Sequence, residues 1–472
     1  MLDIAEKVLK LAQADWTEVR VEQAEGNSVV LKNGNPDVVG FDRSQGIGIR
    51  VLVKGGMGIS FTNRFDQPSL KLAVDRAVRT ARAASKGLRK PVSLAPQRAQ
   101  QADYSADCKK KLEDVDSSEK LKLLQDIDKA LVDTKVSLPA RLLQMDDQTR
   151  ESWLVNSEGT KIHARIPRLC FTYLITAERE GDTEQRMREF GATGGWEIVR
   201  KWNLEEVLVE EAKMLAEILK APNAPAGLTD VIISPEIAGI AAHESVGHPQ
   251  EADRILGREA AQAGEAYLNA DEMGRKIGSQ VVNVADDPTV RGSYGWYRYD
   301  DEGVPAQRRM LITGGKVSAF LQDRRTAAFF GISSNGSCRA SSWDREPIVR
   351  MSTTHVVPGN HTLQELLEGV KQGIWIKSYM EWNIDDKRFN QRYVGLEAWK
   401  VQNGEAVELV RRPALEITTP AFWSAIDAVG KDLDWATGHC GKGDPMQGVP
   451  VWFGGPSLRL RNIRLGRAEV KK

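Results

Sequence analysis

The chain has 472 residues, and its 65 Lys plus Arg balance 65 Asp plus Glu. Zero net charge gives no reason to expect nucleic acid or an anionic membrane surface as a partner, and the length favours two or more domains. Four cysteines without paired spacing argue against a disulfide scaffold and fit a reducing, cytoplasmic compartment. Met1–Lys7 carries early acids and does not read as a signal peptide. No apolar run approaches the about 20 residues that a bilayer span needs.

In chain order, Asp3 is expected to cap a first helix carrying Ile4, Val8, Leu9 and Ala12 at helical spacing. Residues 17–62 read as strands: alternation over 17–22, a strand at 28–31, a turn at Asn33-Gly34-Asn35-Pro36, then 46–54 and 56–61. A helix over 68–86 turns Leu70, Leu72, Ala73, Ala77 and Val78 inward. Residues 91–106 read as a polar connection. Asp116 or Ser117 starts a helix with Leu121, Leu124, Ile127 and Leu131 on its core side. Strands return over 138–195 with a turn near Asn156–Gly159, and an amphipathic helix covers 203–220. The Pro/Ala/Gly-rich run 221–227 reads as a linker, which divides the chain into residues 1–221 and 222–472. Beyond it come a buried strand at 231–233, a helix started by Ser234-Pro235, mostly strands, and one more helix at 362–371. The fold class is α+β. The N-terminal domain is expected to hold a mixed or antiparallel sheet with helices, and the C-terminal domain to be β-rich, barrel-like or sandwiched.

Chemistry concentrates in Ala241-Ala242-His243-Glu244-Ser245-Val246-Gly247-His248, in a chain with six histidines. Composition alone would produce His-Glu-x-x-x-His on the order of 0.01 times in such a chain. Two imidazoles beside a carboxylate suggest a divalent metal, with zinc the first choice and Glu244 activating a water on it. The spacing is i, i+5, which on an ideal helix separates the histidines by about 140°. The helix must therefore break or widen between them. Gly247 tolerates unusual backbone angles, and Pro249 disfavours the α conformation at His248. A π-type turn is the alternative.

Two histidines leave the ligand set incomplete. Glu251, Asp253, the remaining histidines and the cysteines are candidates. Cys440 has the best context, flanked by glycine and followed by Lys442, a cation expected to favour its thiolate.

The region 225–470 resembles the TldD/PmbA family of metallopeptidases, specifically its metal-carrying TldD-like branch. The resemblance runs through the histidine motif, Glu251-Ala252-Asp253, Asp300-Asp301-Glu302-Gly303-Val304-Pro305 and Leu321-Gln322-Asp323. It continues through Arg350–Thr354 with Pro358-Gly359, Gly373–Lys377, Gly438–Gly443 and Val449-Pro450-Val451. It implies that residues 222–472 form the metallopeptidase domain, with His243, His248 and Cys440 as ligands of one zinc per chain and Glu244 as acid/base. It further implies hydrolysis of extended or unfolded peptides, among them peptide-antibiotic precursors and antitoxins, by a homodimer or a heterodimer with a metal-free paralogue. The chain departs from the family pattern at Pro249, at His439 and in the polar, aromatic segment Ser378–Arg392, where a Gly-rich stretch is usual.

Asp300, Asp301 and Glu302 are candidates to bind a peptide amine, against the alternative of a solvated turn. Trp375, Tyr379, Trp382 and Tyr393 are candidates to line a peptide groove, or core residues. Two other functions compete with the peptidase: a catalytically silent peptide-binding subunit, and a cysteine hydrolase using Cys440.

Overall fold

The computed structural model describes residues 1–259 and 265–467. Its N-terminal half is organised by long antiparallel strands. Trp16–Lys32 is one continuous strand rather than two, and it turns into Asn35–Val53 through Asn33 and Gly34. Both turn residues hold positive φ, 47° and 80°, as a two-residue hairpin of this hand requires. Trp16–Lys32 pairs on its other edge with Ala140–Asn156, which pairs with Lys161–Arg179. The far edge of Lys161–Arg179 is shared by Gln101–Ser105 and Asp182–Thr193. Gln101–Ser105 lies inside the segment expected to be a plain connection. It pairs in parallel, which a sequence window of five residues does not announce.

The two faces of this sheet are buried differently. On Trp16–Lys32, Val19, Val21, Val29 and Leu31 enter apolar clusters under the helices Leu2–Leu11, Gln67–Ser85, Ser117–Asp133 and Leu204–Ile218. The alternate residues Glu18, Arg20 and Glu22 point to the other face and are also buried, because the C-terminal half covers them. Arg50 bonds both Glu18 (2.9 Å) and Glu302 (3.0 Å), and Arg20 donates to the carbonyls of Ser342 and Arg345. The halves are thus joined by paired charges, whose desolvation is offset only while each keeps its partner.

Local expectations fail where a neighbour decides. Asp3 sits in the first turn of Leu2–Leu11, with Met1 at the cap. Leu72 is 46% exposed and takes no part in the core. The helices Arg324–Phe330 and Thr419–Ala425 interrupt a region expected to be mostly strand. The helix expected over 362–371 is the shorter Leu363–Glu368, fixed by a capping box between Thr362 and Glu365.

Among the described residues, the C-terminal half contains two large sheets. Gly227–Ile233 lies inside a nine-stranded sheet, parallel to Gln372–Ile376 and antiparallel to Leu458–Arg467. A six-stranded sheet ends in Thr353–Val356, Gln447–Gly455 and Asp434–Lys442, the last strand lying at its edge. The helix Pro235–Ala242 follows directly from Gly227–Ile233. Its Ile237, Ile240 and Ala241 share one core cluster with Val231 and Ile374 of the first sheet and Val451 and Phe453 of the second. No helix among the described residues is long and apolar enough to cross a membrane.

Close approach fixes this helix against the six-stranded sheet. A Cβ on Gly239 would lie 2.7 Å from the backbone N and Cα of Gly454. Gly239→Ala should therefore lower stability by about 1–3 kcal/mol, since neither backbone can yield like a side chain. The urea unfolding midpoint measures it, and an unchanged midpoint would mean that the helix is free to move off the strand.

Candidate metal centre

Pro235–Ala242 continues without a break into a π turn at His243–Gly247 and a 3₁₀ turn at His248–Gln250. The His248 N–H donates to the His243 carbonyl, the i to i+5 bond that defines the wider turn. The extra residue brings the two rings onto one side, 5.0 Å apart and at 85° to each other. The Ser245 hydroxyl donates to the Ala241 carbonyl at 2.7 Å and accepts from the Trp423 indole at 3.0 Å. It thereby ties the widened turn back to the helix that precedes it.

The backbone does not bend as Gly247 and Pro249 suggest. Gly247 and His248 both keep α-region angles. The glycine is needed for space, because a Cβ there would stand 1.9 Å from the Met351 sulfur. Ser234 occupies the N-cap position, but its hydroxyl donates to the Lys377 carbonyl at 2.5 Å instead of capping.

The edge strand Asp434–Lys442 brings Cys440 to the same place. Its Sγ lies 3.4 Å from His248 Nε2, and ligand atoms of His243, His248 and Cys440 fall within 4.8 Å of one another. A tetrahedral zinc with Zn–N near 2.0–2.1 Å and Zn–S near 2.3 Å would set N and S about 3.5 Å apart. All three residues are buried, and His243 Nδ1 has no hydrogen-bond partner among the described residues. The residues present therefore fit a divalent metal.

Electrostatics prepares the same set. Burial depresses the pKa of both imidazoles, which keeps them neutral. Burial opposes ionisation of Cys440, but His248 and Arg350 outweigh it and lower the thiol to about 7. Arg350, fully buried, donates to the carbonyls of Cys440 and Gln447. Lys442 does not play the part expected of it. Its ammonium is held by Asp253 at 2.7 and 2.8 Å and lies 3.3 Å from Glu251.

Glu251 and Asp253 support the cluster from outside. Glu251 Oε2 accepts from His248 Nδ1 at 2.9 Å, which assigns the proton to Nδ1 and leaves Nε2 as the donor atom. Burial alone would raise the Glu251 carboxyl, but Lys442, His248 and Arg254 hold it well below its usual range.

The centre opens into a cleft of about 640 Å³. Glu244 lines it beside His243, His248 and Cys440, and its Oε2 accepts from Arg388 at 2.5 Å. Tyr379, Trp382 and Arg388 come from the hairpin of Tyr379–Ile384 and Asn390–Gly395, within the segment Ser378–Arg392. Of the four aromatic candidates, Tyr379 and Trp382 line the cleft, whereas Trp375 and Tyr393 pack in cores. Gln185, Met187, Arg188 and Glu189 reach it from Asp182–Thr193 in the N-terminal half. His439 stands at the rim, bonded to the Tyr294 hydroxyl at 3.0 Å and to Glu189 at 3.3 Å.

Asp300, Asp301 and Glu302 are placed elsewhere, neither at the cleft nor in a solvated turn. Asp300 accepts from the backbone N–H groups of Glu302, Val304 and Cys338. Asp301 accepts from Ala340 N–H and lies 3.7 Å from both Arg20 and Arg150. Glu302 bonds Arg50 and Arg324 N–H. Asp301 and Glu302 are committed to the junction between the halves, and Asp300 braces the loop that carries them. Two arginines complete the site without a sequence signal of their own: Arg350, which opens the motif Arg350–Thr354, and Arg388, in the segment that departs from the family pattern.

Glu251→Gln should weaken zinc binding by about 10–100-fold, read by competition with a chromophoric chelator. In zinc-stripped protein, iodoacetamide should alkylate Cys440 half-maximally near pH 7, while burial, which pushes Cys170 far up, keeps that thiol unreactive. Mass spectrometry of the two peptides across pH checks this.

Three family profiles tile the chain. PmbA/TldA metallopeptidase domain 1 matches residues 17–81, the central domain 110–220 and the C-terminal domain 226–467. Metalloprotease MJ0996 of Methanocaldococcus jannaschii is 30% identical over 96% of this chain and 98% of that protein. The zinc metalloprotease TldD homolog of Saccharolobus solfataricus is 25% identical over 98% and 99%. The crystal structure of TldE from Thermococcus kodakarensis shares the fold with a TM-score of 0.72, at 16% identity and with 98% and 99% of the two chains covered. With a relative at that identity along its whole length and a C-terminal match spanning the histidine motif and Cys440, the chain belongs to the PmbA/TldD metallopeptidase family.

Proposed function

We propose that the chain is a zinc-dependent peptidase acting on extended or unfolded peptides, with one zinc held by His243, His248 and Cys440. The observation that carries this reading is the convergence of Cys440 with a histidine pair 192 residues away, beside Glu244 in an open cleft. The family membership supports it.

A bound zinc supplies Lewis acidity, polarising a carbonyl and acidifying water. Glu244 supplies the proton transfers. In the resting site its Oε2 is paired with Arg388, and when that pair opens the carboxylate takes a proton from the attacking water. It then returns that proton to the leaving amine nitrogen. Glu251 keeps His248 in the ligating tautomer, and Tyr379 and Trp382 narrow the cleft against bulk water.

The walls suit an extended chain. Asp434–Lys442 and Tyr379–Ile384 each end a sheet, and both border the cleft. Backbone groups on their unpaired edges, other than the Cys440 and Tyr379 carbonyls already held by Arg350 and Arg186, would pair with a peptide that adds as a strand. Pairing with a second copy or a metal-free paralogue, and a cytoplasmic location, belong to the same proposal. Exposed Val38, Val39 and Phe41 on Asn35–Val53 offer apolar surface for such a contact.

One observation favours a second reading. Cys440, His248 and Glu251 form a thiol, imidazole and carboxylate series that a cysteine hydrolase would also use. His439, adjacent in sequence, is turned away to Tyr294 and Glu189. The second imidazole, His243, has no place in that mechanism.

Glu244→Gln should retain zinc and lose peptidase activity by at least about 100-fold. A chelator should abolish wild-type turnover and added zinc restore it. Turnover that survives chelation but not Cys440→Ala would replace the metal reading with the cysteine one.

A further inference from the structure

The hairpin that departs from the family pattern places a charge where the chemistry is. Arg388 sits in its tight turn with φ 63°. The Thr419 hydroxyl donates to its carbonyl, and Asp385 accepts from the Phe389 and Asn390 N–H groups beside it. The side chain is 13% exposed, and Glu244 is the one acid paired with its guanidinium among the described residues. Its Nε is buried with no partner.

The other charges of the cleft are unequally matched. Glu189 is bonded to His439, and Glu381 to Arg392. Arg188, across from the hairpin on Asp182–Thr193, has no acid partner among the described residues, and its Nε is also buried without one. Its guanidinium rests 4.7 Å above the Phe190 ring. When Glu244 turns to a water proton, Arg388 loses its counter-charge inside a cleft where an unpaired cation is costly. A planar guanidinium in that position matches a carboxylate in shape and charge.

We infer that Arg388, assisted by Arg188, is a specificity-determining residue that selects peptides bearing a carboxylate next to the scissile bond. This rests on the peptidase reading above. A carboxylate exchanges with Glu244 on Arg388, so binding the right substrate releases the acid/base for work. A neutral substrate leaves the pair closed. The carboxylate has two chemical sources, a chain terminus or an Asp or Glu side chain.

Zinc-loaded full-length enzyme, given matched short peptides, tests this. One pair differs by Glu or Gln beside the cleaved bond, and the other by a free or amidated C-terminus. Wild type should favour the carboxylate member of at least one pair by roughly tenfold or more in kcat/KM, and the pair that responds identifies the source. Arg388→Gln should bring that ratio close to one, Arg388→Lys should restore part of it, and Arg188→Gln should reduce it less. Zinc content and melting temperature serve as folding controls, since a merely structural role would lower both members alike. A wild-type ratio near one in both pairs, or a ratio unchanged in Arg388→Gln, overturns the inference. Zinc-loaded wild type that cleaves no member of either pair overturns the peptidase reading, and this one with it.

Discussion

One backbone hydrogen bond, from the His248 N–H to the His243 carbonyl, sets the geometry on which the site depends. A regular helix would send the two imidazoles to different sides. The inserted residue returns them to one side without ending the helix, and Ser245, held in turn by the Trp423 indole, ties the turn back to the Ala241 carbonyl. The rest of the C-terminal half holds this turn against its surroundings. Gly239 lets the helix lie on Gly454, Gly247 makes room for Met351, and the edge strand delivers the thiol. The buried carboxylates and cations there are held in pairs. Among the buried atoms without a partner, His243 Nδ1, Glu251 Oε1, Arg350 Nε and Arg388 Nε lie in the proposed centre or against it.

Around this core, charge is used in layers. Two neutral imidazoles and a thiol that ionises easily form the innermost layer. Glu251, Lys442, Asp253 and Arg254 form a buried network behind it that fixes a ring and balances its own charge. Farther out, Arg20, Arg50 and Arg150 meet Glu18, Glu22, Asp301 and Glu302 between the halves. The same residue types that read as recognition elements in a sequence here bind one domain to another.

The sequence disclosed most where local rules act alone. The turn at Asn33-Gly34, the helix begun by Asp116, the periodic helix over 68–86 (observed as Gln67–Ser85) and the strand running into Pro235–Ala242 follow from turn, cap and period signals. The histidine pair and Cys440 were legible as a set only through resemblance, because no spacing rule links residues so far apart. The burial of Asp300–Glu302 is not legible because acidity does not reveal it, and these carboxylates lie under a face of the N-terminal sheet whose alternating charged residues look solvent-directed. Arg388 was invisible for a related reason. An arginine in a turn reads as surface until the hairpin is folded over the helix.

The N-terminal strand Asp182–Thr193 supplies part of the cleft wall yet none of the reactive groups. Its cleft-facing side chains are therefore open to exchange without disturbing the chemistry, while its backbone is anchored by pairing to Lys161–Arg179. The shape and charge of this wall can therefore change by side-chain replacement alone, with the metal-site geometry on the opposite half left untouched.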